Sequence, residues 1–188
     1  MGRFYAYALR FGVFILILFL ESSVYGKKKL AEGMELPEIE LSTQGSSEIQ
    51  EYLALESAGS FCLTQLPAKI VLIELFGVYC PVCIKQAPLM NQLYKFIQEN
   101  SDLTDGVKMI AIAPGNKDKE LKVYKTRFKV PFPLFPDADK RIYTKLGKPP
   151  IPVVIVVDST GKVLLTHTGK IKDIEEFFST IKKLHEKI

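Results

Sequence analysis

A chain of 188 residues, 47% hydrophobic and 24% charged, is long enough to bury one ordinary core and too short for several. Its net charge is +4 and the lysines are spread rather than blocked, a pattern of solvated surface that argues against nucleic-acid binding. Three cysteines are too few to staple a scaffold.

Arg3 and Arg10 precede the apolar run from Phe11 to Leu20, and Ser22, Ser23, Val24 and Gly26 follow it. This charged, apolar, small-residue order predicts a secretory signal peptide over 1–26, cleaved after Gly26. The run falls short of the roughly 20 apolar residues a spanning helix needs, and Arg10 blocks its extension. An uncleaved anchor is the alternative. Residues 27–188 then form one domain, exported to a bacterial periplasm or the outer face of the cytoplasmic membrane.

Lys27 to Gly59 reads as a polar N-terminal extension with short strands and a turn at Gly45-Ser46-Ser47. The apolar run Ile70–Phe76 predicts a strand buried on both faces. From Pro81 to Gln98, Cys83, Ala87, Met90, Leu93 and Ile97 fall at helical spacing, with Pro88 inside the helix. Val107–Ala113 is a second strand, ended by Pro114-Gly115-Asn116. Leu121, Tyr124 and Phe128 mark a helix, and a short extended piece surrounds Leu134-Phe135. Asp137 can cap a short helix that carries Ile142 and Leu146 and stops at Gly147. Val153–Val157 is a third strand, joined through Asp158-Ser159-Thr160-Gly161 to Val163–Thr168 as a hairpin. A last helix places Ile174, Phe177, Phe178, Ile181, Leu184 and Ile188 on one face. This order implies an α/β fold, a central mixed sheet flanked by helices.

The chemistry is concentrated in Cys80-Pro81-Val82-Cys83, directly behind the first strand and at the start of a helix. A helix N-terminus offers backbone N–H groups and a dipole that favour a thiolate. Only the thiolate attacks a disulfide, so Cys80 is the expected nucleophile and Cys83, one turn on, the resolving thiol. Pro81 suits a first helical turn, where its missing N–H is not needed. The competing reading is half of a structural zinc site, which requires four ligands. Cys62, His167 and His185 stand at no recognised spacing for one, and His185 reads as solvent-facing. No metal and no other cofactor is expected. Cys62 reads as a small buried strand residue, with a third redox thiol as the alternative.

Phe76-Gly77-Val78-Tyr79-Cys80-Pro81-Val82-Cys83 resembles the aromatic and Cys-x-x-Cys signature of thioredoxin-fold oxidoreductases. Pro88 matches that fold's helix proline, and Ile151-Pro152 resembles its cis-proline segment. Pro37-Glu38-Ile39-Glu40-Leu41, Phe61-Cys62-Leu63-Thr64-Gln65-Leu66 and the long span from Cys83 to Pro152 resemble the exported TlpA/ResA-like group, itself similar to the AhpC/TSA redoxins. The resemblance implies a thioredoxin-like three-layer fold with an N-terminal extension and a central strand–helix insertion. It implies that Tyr79, Pro81, Val82, Ile151 and Pro152 form the substrate surface. It also gives Glu74 a role: thioredoxin-like proteins often carry a buried acid there, whose pKa desolvation raises and which can take the proton of Cys83. A strand-edge Glu facing solvent is the plain alternative. The chain departs from the group in two ways. Gln86 stands where an acid is common, and Phe76 and Tyr79 stand where tryptophans are common.

The function expected is an exported thiol–disulfide oxidoreductase, acting as a reductase. By resemblance its partners are exported dithiol proteins, apocytochrome c among them, and a membrane electron donor. A peroxiredoxin-type peroxidase is a weaker alternative: counting back from Cys83, the family's Thr and Pro places hold Cys80 and Phe76. A copper-binding metallochaperone is another; the Cys-x-x-Cys spacing is one residue short of that pattern.

Overall fold

The three apolar runs become the middle of one sheet. The computed structural model describes residues 30–188, so the expected signal peptide and its cleavage site lie outside the described residues. A five-stranded sheet has the order β5-β4-β3-β6-β7, with β3 Ile70–Leu75, β4 Val107–Pro114, β5 Leu134–Asp137, β6 Val153–Asp158 and β7 Val163–Thr168. β3, β4 and β5 run parallel; β6 and β7 complete the sheet antiparallel. Every residue of β3 is buried, as its unbroken apolar pattern requires for a strand covered on both faces.

One face packs under the helices α2 Pro81–Gln98, α3 Asp118–Phe128 and α5 Ile174–Lys187. There Leu72, Met109 and Val154 meet Leu93, Leu121 and Ile181. The other face carries Val71, Ile73, Ile110 and Ile155 and is covered mainly by the N-terminal extension, through Ile39, Leu41, Leu53 and Phe61. Each such side chain contributes about 1.5–3 kcal/mol when fully buried. The extension therefore forms part of the core. Its strands β1 Glu40–Ser42 and β2 Ser60–Cys62 pair antiparallel in a separate two-stranded sheet.

Between β1 and β2 lies a helix the sequence did not reveal, α1 Ser47–Tyr52. Ser46, read as part of a turn, is its N-cap and accepts from Ile49 N at 3.3 Å. The helix is too short to show a periodic pattern. Tertiary contacts hold it: Leu53 is buried, and the Tyr52 hydroxyl accepts from Met109 N at 2.9 Å.

The central insertion is visible between β4 and β6, where α3, β5 and α4 Arg141–Lys145 follow one another. Asp137 caps α4 as expected, accepting from Ile142 N at 3.1 Å and Tyr143 N at 2.9 Å. Gly147 follows with φ +76°, the left-handed conformation suited to a helix stop. Two expectations change. Cys62 is half-buried rather than buried, because it sits at the end of a short peripheral strand. His185 is buried against Gly106, which lacks the side chain that would fill the imidazole's place.

Candidate active site

The β3–β6 register builds the site. Leu75 lies opposite Val153, so the chain leaving β3 and the chain entering β6 meet at one end of the sheet. The first supplies the loop to Cys80; the second supplies Ile151-Pro152, joined by a cis peptide bond. At Gly77 a Cβ would lie 3.2 Å from Ile151 Cδ1 and 3.5 Å from Cys80 Cβ. Glycine there lets the loop lie against the proline segment. Pro152 is buried, and its carbonyl accepts from Gly169 N at 2.8 Å.

Cys80 is the N-cap of α2, with extended backbone, and Pro81 occupies the first helical position. The Cys83 N–H donates to Cys80 Sγ at 3.3 Å. The two cysteines are disulfide-bonded, with Cα atoms 5.2 Å apart. Their exposures differ: Cys80 is half-buried and Cys83 is 1% exposed. Around Cys80 the surface is formed by Tyr79, Pro81 and Val82, all exposed. Five residues named from sequence, Tyr79, Pro81, Val82, Ile151 and Pro152, thus converge with the cysteines at one end of the sheet.

Glu74 is buried, not solvent-facing, on β3 behind the first turns of α2. Burial pushes its carboxyl up to about 7, against the opposing effect of one hydrogen bond. That bond comes from Gln86 Nε2 at 2.7 Å, and Gln86 Oε1 in turn accepts from Ile171 N at 3.0 Å. The amide at position 86 therefore ties the acid to the loop before α5. An acid at that place would have set two carboxyls side by side. A cavity of about 10 Å³, lined by Glu74, Phe76, Ala87 and Tyr124 among others, adjoins the acid. That is room for about one water. Among the described residues no hydrogen bond joins Glu74 directly to either cysteine.

Two residues of the site escaped the sequence reading. Asn116, seen only as part of a strand-ending turn, is buried. Its Oδ1 accepts from Val78 N at 3.2 Å and its Nδ2 donates to Glu120 Oε1 at 3.3 Å, so it clamps the loop ahead of Cys80. The Glu120 carboxylate beside Tyr79 holds the Tyr79 phenol above its ordinary value, while Lys117 N–H, donating at 2.7 Å, holds Glu120 below its own. Tyr124, read as a helix-face residue, stacks on Phe76 with ring centroids 4.9 Å apart and directs its hydroxyl to the Cys83 carbonyl at 3.5 Å. Burial first, and the nearby Glu74 second, keep the Tyr124 phenol protonated. Among the described residues no three His, Cys, Asp or Glu side chains converge as a metal-ligand group.

A disulfide-bonded cysteine pair on a helix tip, at the end of a thioredoxin-like sheet where a cis-proline enters β6, is the arrangement of a thiol–disulfide oxidoreductase. Residues 33–166 match the model of the AhpC/TSA family, and the chain belongs to that family. It is similar to the thiol-disulfide oxidoreductase ResA of Geobacillus thermodenitrificans, 29% identical over 122 residues, covering 64% of this chain and 67% of the relative. Similarity to ResA of Bacillus subtilis is lower, 24%, but spans 89% of this chain and 88% of the relative. Among solved structures, a candidate DsbE-type thiol:disulfide interchange protein from Chlorobium tepidum superposes with TM-score 0.65 at 19% identity, covering 84% of this chain and 99% of the other. AhpC of Mycobacterium tuberculosis shares the fold with TM-score 0.60 at 13% identity, covering 83% and 98%. The fold is common to both neighbours.

Proposed function

We propose that the protein is exported and reduces protein disulfides, with Cys80 as attacking thiolate and Cys83 as resolving thiol. The difference in exposure carries the assignment. A substrate sulfur can reach half-buried Cys80 but not Cys83, which is 1% exposed. In the dithiol form the Cys80 thiolate, stabilised at the helix N-terminus, attacks one substrate sulfur and expels the other as a thiolate. Cys83 loses its proton and attacks Cys80 Sγ. The mixed disulfide breaks, the second substrate thiolate leaves, and the Cys80–Cys83 disulfide closes. Two electrons pass to the substrate. Glu74 accepts the Cys83 proton, directly or through water, and a carboxyl held at about 7 is suited to take and return it near neutral pH.

Tyr79, Pro81 and Val82 contact the substrate from the helix side. Ile151 faces it from the proline side, where its backbone makes no hydrogen bond to other described residues and is available to an extended segment. The charged and apolar order of residues 1–26 supports export to a periplasm or the outer face of the membrane. The reductive direction and the partners, apocytochrome c thiols among exported dithiol proteins and a membrane electron donor, rest on the TlpA/ResA-like resemblance. The test is insulin reduction by the dithiol form, with a glutathione redox titration of the Cys80–Cys83 pair. A reducing potential with turnover is expected. A dithiol form that transfers no electrons to insulin would refute the reading.

A further inference from the structure

Beside Cys80 the surface opens into a groove of about 470 Å³ between the active-site loop and α3. The volume falls within the range of about 300–1,000 Å³ typical of ligand clefts. Val78, Tyr79 and Ile84 line it from the redox side; Val123, Tyr124 and Phe128 line it from α3. Val123 is 67% exposed and Tyr79 77% exposed, so large apolar groups stand open to water at its mouth. Lys119 and Arg127 also line it, both exposed, and neither forms an ion pair among the described residues. The acid in the wall, Glu120, is already engaged by Lys117 N–H and Asn116 Nδ2. Glu120 keeps its negative charge while accepting those bonds, so the lining carries two positive charges against one negative and is net positive.

We propose that this groove docks the polypeptide carrying the disulfide, holding an apolar side chain next to the substrate cysteine with an acidic residue beside it. The proposal rests on the reading of the protein as a reductase of protein disulfides. Continuity with the redox site supports it: Tyr79 and Ile84 bracket Cys80 and Cys83 in the chain, so a substrate sulfur seated on Cys80 brings its neighbours over the groove. The apolar walls take the side chain, and Lys119 and Arg127 match the acid. α3 belongs to the central insertion, which gives that insertion a role in choosing substrates.

The test uses the reduced full chain and short peptides, each with one cysteine held in a mixed disulfide with mercaptoethanol. Beside the cysteine the peptides carry Leu-Asp, Ser-Asp or Leu-Lys. The rate constant for Leu-Asp is expected to exceed that for Ser-Asp by about tenfold. Val123→Asp, at an exposed position, is expected to abolish that ratio. Lys119→Glu with Arg127→Glu is expected to reverse the preference between Leu-Asp and Leu-Lys, with the difference shrinking as salt rises. Ratios taken on one protein cancel any change in thiol chemistry or folded fraction. A Leu/Ser ratio untouched by Val123→Asp, or an Asp/Lys preference untouched by charge reversal, overturns the proposal. Equal reaction of the wild-type chain with all three peptides defeats docking alone. Failure to reduce any of them, or insulin, defeats the reductase reading itself.

Discussion

Cys80 and Cys62 are the same side chain in opposite surroundings. Cys80 sits at a helix N-terminus, where its sulfur accepts a backbone N–H from Cys83 at 3.3 Å. Cys62 sits at the end of a two-stranded sheet, where its thiol donates to Glu38 Oε1 at 3.1 Å. A donor facing the sulfur favours the thiolate; a carboxylate facing it favours the thiol and holds the Cys62 pKa up. Exposure does not separate the two, since both are half-buried. Under the proposed mechanism, the partner group favours Cys80 over Cys62 as the attacking sulfur.

The sharpest way to break this contrast is to remove each sulfur in turn. Cys80→Ser should abolish insulin reduction, and Cys83→Ser should accumulate a trapped mixed disulfide. Cys62→Ser should stay within about twofold of the parent rate. A Cys80→Ser protein that still reduced insulin would reverse the roles.

A second test concerns the buried acid behind the reactive pair. Burial raises Glu74 from its ordinary 4.5 to about 7, so the folded chain keeps a proton that the unfolded chain releases. The associated stability is fully present below pH 4.5 and is lost as pH rises through about 7. The loss is about 3 kcal/mol. Glu74→Gln should flatten that dependence in urea titrations across the window and slow resolution of the mixed disulfide. An unchanged pH slope would show that Glu74 does not hold the proton.

Asn116→Ala should destabilise the fold by about 1–2 kcal/mol, since it leaves the Val78 N–H without its partner. It should also raise the rate of hydrogen exchange in the loop before Cys80. Protection there equal to the parent's would remove Asn116 from the site. The smallest effect belongs to the quiet cysteine. Glu38→Gln removes the carboxylate that holds the Cys62 thiol, so iodoacetamide should label Cys62 faster at pH 8 in this variant. Unaltered labelling would assign its low reactivity to something other than Glu38.

Much of this protein could be read from the chain because the relevant signals are local. β3, β4 and β6 are runs of apolar residues, α2 and α5 repeat them at helical spacing, and the cysteine motif declares itself within four positions. Asp137 and Gly147 act on α4 within six positions of chain. α1 stayed hidden because its stability comes from Tyr52 and the adjoining Leu53 docking on distant strands, not from contacts among its own six residues. Cys62 was misjudged because burial follows from what packs over β2, and its partner Glu38 lies 24 positions away. His185 was misjudged because the hollow that receives it is made by an absent side chain at Gly106.

The sequence alone determined that a thiol pair would sit at the head of a helix behind a buried strand, because spacing and apolar periodicity are properties of contiguous residues. Which groups surround that pair was decided by the sheet. The register that sets Leu75 opposite Ile112 and Val153 carries Asn116, Tyr124 and Pro152 to one place across 38 or more positions of chain. It gave Glu74 an amide partner and a low-dielectric pocket. Desolvation and hydrogen bonding act through space, so the proton affinity of that acid has no address in the linear order of residues.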